Sequence, residues 1–139
     1  MINIGVIGLG YVGLTLSIVA AKKGFTVYGI DKENHILESL QNKKAHFYEK
    51  DLDMMLSKVF NKNFFISDSF SKDEKIECFI ITVGTPLVDN TIKPNIDYII
   101  NALGSISKVY DGSQLIILRS TVSVGTTREI VLNELSRIS

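Results

Sequence analysis

The sequence predicts an α/β fold, a doubly wound and mainly parallel sheet with helices on both faces. Three observations carry that prediction. The short apolar runs are solid rather than alternating, as expected of strands buried on both faces. Longer segments with helical spacing lie between them, so strand and helix signals alternate along the chain. The first run leads into Gly8-Leu9-Gly10-Tyr11-Val12-Gly13, a glycine-rich turn placed where a strand hands over to a helix.

Residues 2–7 form a β-branched apolar run bounded by glycine, which reads as a buried strand. Residues 11–23 carry Val12, Leu16, Val19 and Ala20 at helical spacing and stop at Gly24. A second strand over 26–30 ends at Asp31, and Ile36, Leu37 and Leu40 mark a second helix ending near Gln41. Residues 51–59 place Leu52, Met55, Leu56 and Val59 on one helical face. Strands are expected over 64–67, over 78–82 (stopped by Gly84 and Pro86) and, buried, over 115–118. Helices are expected over 96–110, through Ile99, Ile100, Leu103 and Ile106, and over 127–138, with a polar loop over 88–93. No internal boundary is visible, so 1–139 reads as one domain. The chain stops with Leu135-Ser136-Arg137-Ile138-Ser139, just after the end of the last predicted helix, and we expect a domain cut from a longer protein.

Composition narrows the function classes. Fifteen Lys plus Arg balance fifteen Asp plus Glu, which argues against a nucleic-acid partner held by a basic surface. The single cysteine, Cys78, excludes an internal disulfide framework and fits a reducing compartment. It lies within a predicted strand and reads as an inert core residue. His35 and His46 form no metal-ligand pattern with it, so no metal is expected. The apolar N-terminal stretch is interrupted by Gly5, Gly8, Gly10 and Gly13 and lacks a basic lead, so it is neither a signal peptide nor a span. A cytoplasmic protein with no membrane partner is the expectation.

In the glycine turn each glycine serves a separate purpose. Gly8 permits the tight turn, Gly10 the close approach of a pyrophosphate, and Gly13 close helix–strand packing. The helix beginning at Tyr11 and Val12 offers free N–H groups and a positive dipole end to phosphates. Asp31 closes the next strand near the expected offset of about 20 residues, where a carboxylate accepts from ribose hydroxyls and repels a 2′-phosphate. NAD is therefore favoured over NADP, a preference that the adjacent Lys32 softens. Ligands in such folds sit beyond the carboxyl ends of strands, and two later strand ends are unusual. Thr82-Val83-Gly84-Thr85-Pro86 offers hydroxyls to a ribose or phosphate, or is an ordinary turn. Arg119-Ser120-Thr121 leads to Gly125-Thr126-Thr127, where one threonine reads as a helix cap with Glu129 in the first turn. Arg119 is equally readable as a solvated residue or an ion-pair partner.

Together these segments resemble the UDP-sugar 6-dehydrogenase family, which includes the UDP-glucose and UDP-N-acetyl-hexosamine dehydrogenases. The matching pieces occur in that family's order: the glycine turn through Leu14, then Phe47-Tyr48-Glu49 with Leu52, Asp53 and Leu56, then Val83-Gly84-Thr85-Pro86, then Ser120-Thr121-Val122 with Gly125-Thr126-Thr127. The resemblance implies a cofactor, NAD, held by Gly8, Gly10, Tyr11, Val12, Gly13, Asp31, Lys32, Val83, Gly84, Thr85, Ser120 and Thr121. It implies a UDP-sugar substrate whose C6 alcohol is oxidised to a carboxylate in two NAD-dependent steps, and a homo-oligomer when full length. Thr121 would help place a catalytic water, and Glu49 would lie near the nucleotide. The family's nucleophilic cysteine has no counterpart here, so binding without turnover is expected of this chain. Lys50-Asp51 replaces the usual Pro-Gly, Ser123-Val124, Glu77-Cys78 and Asn95 are further departures, and Arg119 leans towards the N-acetyl-hexosamine branch. Two rival readings share the glycine turn: a nucleotide-sensing domain of a channel or transporter, and a dehydrogenase of the 6-phosphogluconate or 3-hydroxyacid type.

Overall fold

A computed structural model describes residues 1–138. The chain runs β1 (Asn3–Ile7), α1 (Tyr11–Lys22), β2 (Thr26–Ile30), α2 (Asn34–Gln41), α3 (Leu52–Val59), β3 (Phe64–Ser67), a 3₁₀ turn (Lys72–Glu74), β4 (Cys78–Ile81), α4 (Asp97–Ser107) and β5 (Leu115–Leu118). A π-helical turn (Thr127–Val131) then leads into α5 (Leu132–Ile138). The strands form one parallel sheet in the order β3-β2-β1-β4-β5. The connection from β3 returns past β2 and β1 to β4, so the winding reverses between β1 and β4. In a doubly wound sheet the ligand crevice lies at that reversal, outside the carboxyl ends of the strands.

Helices cover the sheet from both sides. On one side Leu14, Ile18 and Ala21 of α1 join Leu40, Leu52, Leu56 and Phe64 over Ile4, Val6 and Val27. On the other, Ile99, Leu103 and Ile106 of α4 and Val131 pack over Ile7, Phe79 and Ile81. Each fully buried leucine or isoleucine removes enough apolar surface from water to contribute about 1.5–3 kcal/mol.

The face that α1 buries differs from the one its spacing predicts. Leu14, Ser17, Ile18 and Ala21 are buried, whereas Val12 and Val19 are exposed. The helix is apolar nearly all round, so periodicity leaves its rotation undetermined. A backbone contact determines it instead: a Cβ added to Gly13 would lie 1.8 Å from the Gly8 carbonyl oxygen. Only the Gly13 side of α1 can lie against the end of β1. In α4, likewise, Ile100 points outwards and Ala102 takes the buried place.

Three further expectations are corrected. β5 is an edge strand, with Leu115 and Ile117 exposed on the α1 side and Ile116 and Leu118 packed towards α4. Cys78, the first residue of β4, is half-buried rather than enclosed, although burial still pushes its thiol pKa up. The Thr126 hydroxyl donates to the Ser123 carbonyl at 2.7 Å and makes no capping bond to the helix that follows. Among the described residues no helix is long and apolar enough to cross a membrane.

Gly13→Ala is expected to destabilise the fold by about 3 kcal/mol or more, the upper range for an overpacked site, because the clash is with backbone. Chemical denaturation of the purified chain measures this.

Candidate functional site

At the β1–β4 crevice lies a cavity of about 270 Å³. Its walls include the carboxyl ends of four strands: Ile7 and Gly8 at the end of β1, Ile30 to Glu33 at the end of β2, Asp68 after β3, and Thr82 to Gly84 after β4. Of the residues singled out in the sequence, Gly8, Gly10, Asp31, Lys32, Val83 and Gly84 meet here. Val12, Ser120 and Thr121 line a separate shallow depression beside Ile117, Leu118 and Arg119. Tyr11, Gly13 and Thr85 stand in the wall of neither.

The glycine turn is built as its sequence requires. Gly8 has φ +95°, a conformation that L side chains rarely adopt, and its N–H donates to the Ile30 carbonyl at 2.9 Å. Gly10 has φ −72° and precedes α1, and a Cβ there would meet nothing within 4 Å. The space beside it is therefore open for a ligand to approach the backbone. The first helical bond runs from Leu14 N–H to Gly10 O at 2.9 Å, leaving the N–H groups of the first turn without helical acceptors. A dinucleotide's diphosphate fits this chemistry, with negative charge facing unpaired donors at a helix N-terminus.

Asp31 does more than its sequence position implies. Oδ2 accepts the Leu9 N–H at 2.8 Å and Oδ1 accepts the Glu33 N–H at 2.9 Å, so the carboxylate ties the glycine turn to the end of β2. A carboxylate has about four acceptor positions, which leaves capacity for ribose hydroxyls. Glu33 and Asp68 add two carboxylates to the cavity wall, and the Lys32 ammonium lies 5.5 Å from the centre of the Tyr98 ring. The local field thus disfavours an added 2′-phosphate, and Lys32 has an aromatic partner of its own.

The threonine-rich strand ends bond mainly to the protein itself. Thr82 Oγ1 donates within reach of two carbonyls, Ile7 O at 3.0 Å and Gly8 O at 2.7 Å. Thr85 Oγ1 donates to Thr121 O at 2.5 Å, and Ser120 Oγ donates to Val83 O at 2.7 Å. Each hydroxyl has a single proton, so these groups can accept from a ligand but no longer donate to one. The last two bonds join the loops that follow β4 and β5. Arg119 is exposed and has no ion-pair partner among the described residues.

Several contributors carried little sequence signal. Tyr98, Ala102 and Ser105 face the cavity from α4 at positions i, i+4 and i+7, a stripe that reads as ordinary helix surface. Asp68 had a usable signal, an acid directly after a strand. The segment 45–50 folds over the glycine turn. Tyr11 donates its hydroxyl to Glu49 Oε2 at 2.9 Å, its ring lies 4.9 Å from that of Phe47, and His46 Nε2 lies 2.7 Å from the Leu9 carbonyl oxygen. The Glu49 hydrogen bond, followed by that residue's charge, pushes the Tyr11 pKa above its ordinary value. Asp51, where the resemblance drawn from the sequence expects glycine, takes φ +62°, the left-handed conformation that Asp tolerates better than most residues. The turn into α3 is thus made without the glycine.

The sequence matches the NAD binding domain of the UDP-glucose/GDP-mannose dehydrogenase family over residues 2–138. It is 36% identical over 125 residues to the UDP-N-acetyl-D-mannosamine dehydrogenase of Campylobacter jejuni, a match covering 90% of this chain and 30% of that protein. The NDP-N-acetyl-D-galactosaminuronic acid dehydrogenase of Ralstonia nicotianae is 32% identical, over 92% of this chain and 30% of that protein. The structure is similar to that of the UDP-N-acetyl-mannosamine dehydrogenase Cap5O of Staphylococcus aureus, with TM-score 0.90 and 29% identity over 98% of this chain and 33% of the other. The chain thus spans about a third of the length of these relatives.

Two substitutions separate folding from binding. Gly10→Ala meets no atom, so stability is expected to stay within about 1 kcal/mol while the methyl group lowers dinucleotide affinity at least about tenfold. Asp31→Ala removes both backbone anchors as well as the ribose acceptor. We expect it to weaken NAD binding by about 1.5–3 kcal/mol and also to lower the melting temperature. Calorimetric titration and thermal melts of the same samples measure both effects.

Proposed function

This chain belongs to the UDP-glucose/GDP-mannose dehydrogenase family as an NAD-binding domain, and we propose that it serves the oxidation of a UDP-N-acetylhexosamine at C6. The observation that carries the cofactor assignment is the cavity at the β1–β4 crevice, walled by Gly8, Gly10 and Asp31. In this reading the cavity would hold the adenosine, Asp31 would accept from its ribose hydroxyls, and the backbone of Gly10 at the start of α1 would hold the diphosphate. Val12, Ser120 and Thr121, which line the second depression, would hold the nicotinamide end. Bound NAD supplies the hydride acceptor, and an alcohol-to-carboxylate oxidation uses two equivalents.

Within these residues Tyr11, Val12 and Gly13 contribute backbone at the helix start. Val83, Gly84 and Thr85 shape the β4 loop, and Thr121, tied through its carbonyl to Thr85, lines the depression. Lys32 stays on Tyr98 and does not select a 2′-phosphate. Arg119 stands exposed beside Thr121 as a cation available to an anionic substrate, and the names of the relatives support the N-acetylhexosamine class. The covalent half of the oxidation is assigned to none of these residues. Cys78 begins β4, at the opposite end of the strand from Thr82 and the cavity, and its thiol pKa is raised by burial, which opposes thiolate formation. A channel-type sensor and a 3-hydroxyacid-type dehydrogenase are not favoured, because the family match spans nearly the whole chain.

Calorimetry of the 139-residue chain is expected to give NAD binding at least about tenfold tighter than NADP, as like-charge repulsion at Asp31 requires. Equal or tighter NADP binding would overturn the assignment. Mixed with NAD and UDP-N-acetylmannosamine, the same chain is expected to give no rise in NADH absorbance; turnover would place the covalent chemistry within these residues after all.

A further inference from the structure

We propose that His46 is a positioning residue for the cofactor's diphosphate: by holding the Leu9 carbonyl, it fixes the direction of the Gly10 N–H. This rests on the cofactor reading above and deepens it. His46 Nε2 lies 2.7 Å from Leu9 O. A carbonyl only accepts, so Nε2 must carry the proton. The Leu9 N–H is held at 2.8 Å by Asp31 Oδ2, and the Leu9 side chain is fully buried, tight enough against Gly29 that a Cβ there would sit 2.8 Å from Cδ2. Residue 9 is thus fixed at its donor by the end of β2, at its side chain by the core, and at its acceptor by His46.

The acceptor side is the one that matters for a ligand. The 9–10 peptide is trans, so the Gly10 N–H points opposite to the Leu9 carbonyl. Glycine tolerates many backbone orientations, and nothing lies within 4 Å of where its Cβ would be, so Gly10 itself does little to hold that peptide plane. With the carbonyl on His46, the N–H is turned to the side away from segment 45–50. Gly10 lines the cavity, so the direction is set before a ligand arrives. Preorganisation of this kind raises affinity by removing an ordering cost from the binding step.

His46 is itself held in place. The Ala45 N–H donates to Asp53 Oδ1 at 2.8 Å, the His46 ring meets Phe47 edge-on at 4.9 Å, and Phe47 packs on Tyr11. Farther along, Glu49 accepts the Tyr11 hydroxyl. The segment is therefore fastened on both sides of the histidine, and the ring can transmit that order to the turn.

The test compares NAD, ADP-ribose and adenosine on the wild-type chain and on His46→Ala, His46→Phe and His46→Gln, by calorimetry for the diphosphates, NMR titration for adenosine, and thermal melts for all four proteins. Removing the donor is expected to weaken NAD and ADP-ribose about tenfold, the effect of one lost hydrogen bond, and to leave adenosine within about twofold. His46→Phe keeps a ring without the donor and carries the comparison if His46→Ala does not fold. The Gln amide nitrogen lies as many bonds from Cα as Nε2 does, so His46→Gln should recover most of the affinity. Unchanged NAD affinity in the donor-less variants, an equal loss for adenosine, or no recovery with Gln would overturn the role of His46. A wild-type chain that binds none of the three ligands would overturn the cofactor reading itself.

Discussion

The contact between Gly13 and the Gly8 carbonyl is the constraint on which the rest of this structure depends. A side chain at Gly13 would stand 1.8 Å from that oxygen, so α1 can lie on β1 only with this glycine facing inwards. That one approach sets the rotation of an otherwise evenly apolar helix. It drives Leu14, Ile18 and Ala21 into the core and leaves Val12 and Val19 outside. It also places the open N-terminus of α1 at the carboxyl end of the sheet, where unpaired N–H groups and a partial positive charge are available to an anion.

Around this contact, most polar side chains near the site are engaged in holding backbone. Thr82 bridges the ends of β1 and β4, Asp31 ties β2 to the glycine turn, and Ser120 and Thr85 join the loops after β4 and β5. Asp31 and Thr82 in the cavity wall, and Ser120 in the neighbouring depression, thus have orientations set by the protein before any ligand contacts them. Such an arrangement suits a cofactor that must be held in one pose, since the donors and acceptors need little reordering on binding.

Much of the fold was legible in the sequence. Solid apolar runs such as 115–118 and the helical stripe of 52–59 define their elements, because strand and helix periods differ. The glycine turn and Asp31 were legible because each needs a particular residue type at a particular spacing. Other features were not. The buried face of α1 was lost because nearly every position in it is apolar. The half-exposed β5 was lost because an edge strand and a central strand can share one composition, and strand order is absent from local pattern. His46 was lost because its role depends on a contact with Leu9, 37 residues away in the chain, and nothing in its neighbours announces that contact.

What the sequence alone determined is the class of chemistry: strand, glycine turn, helix and terminal acid are local features, dictated by steric and electrostatic needs within a few residues of each other. Only the tertiary structure decided which polar groups remain free for a ligand. A hydroxyl or carboxylate has a fixed number of protons and lone pairs, and whether Thr85, Ser120 or Asp31 has already used them depends on which distant carbonyl or N–H the fold brings alongside.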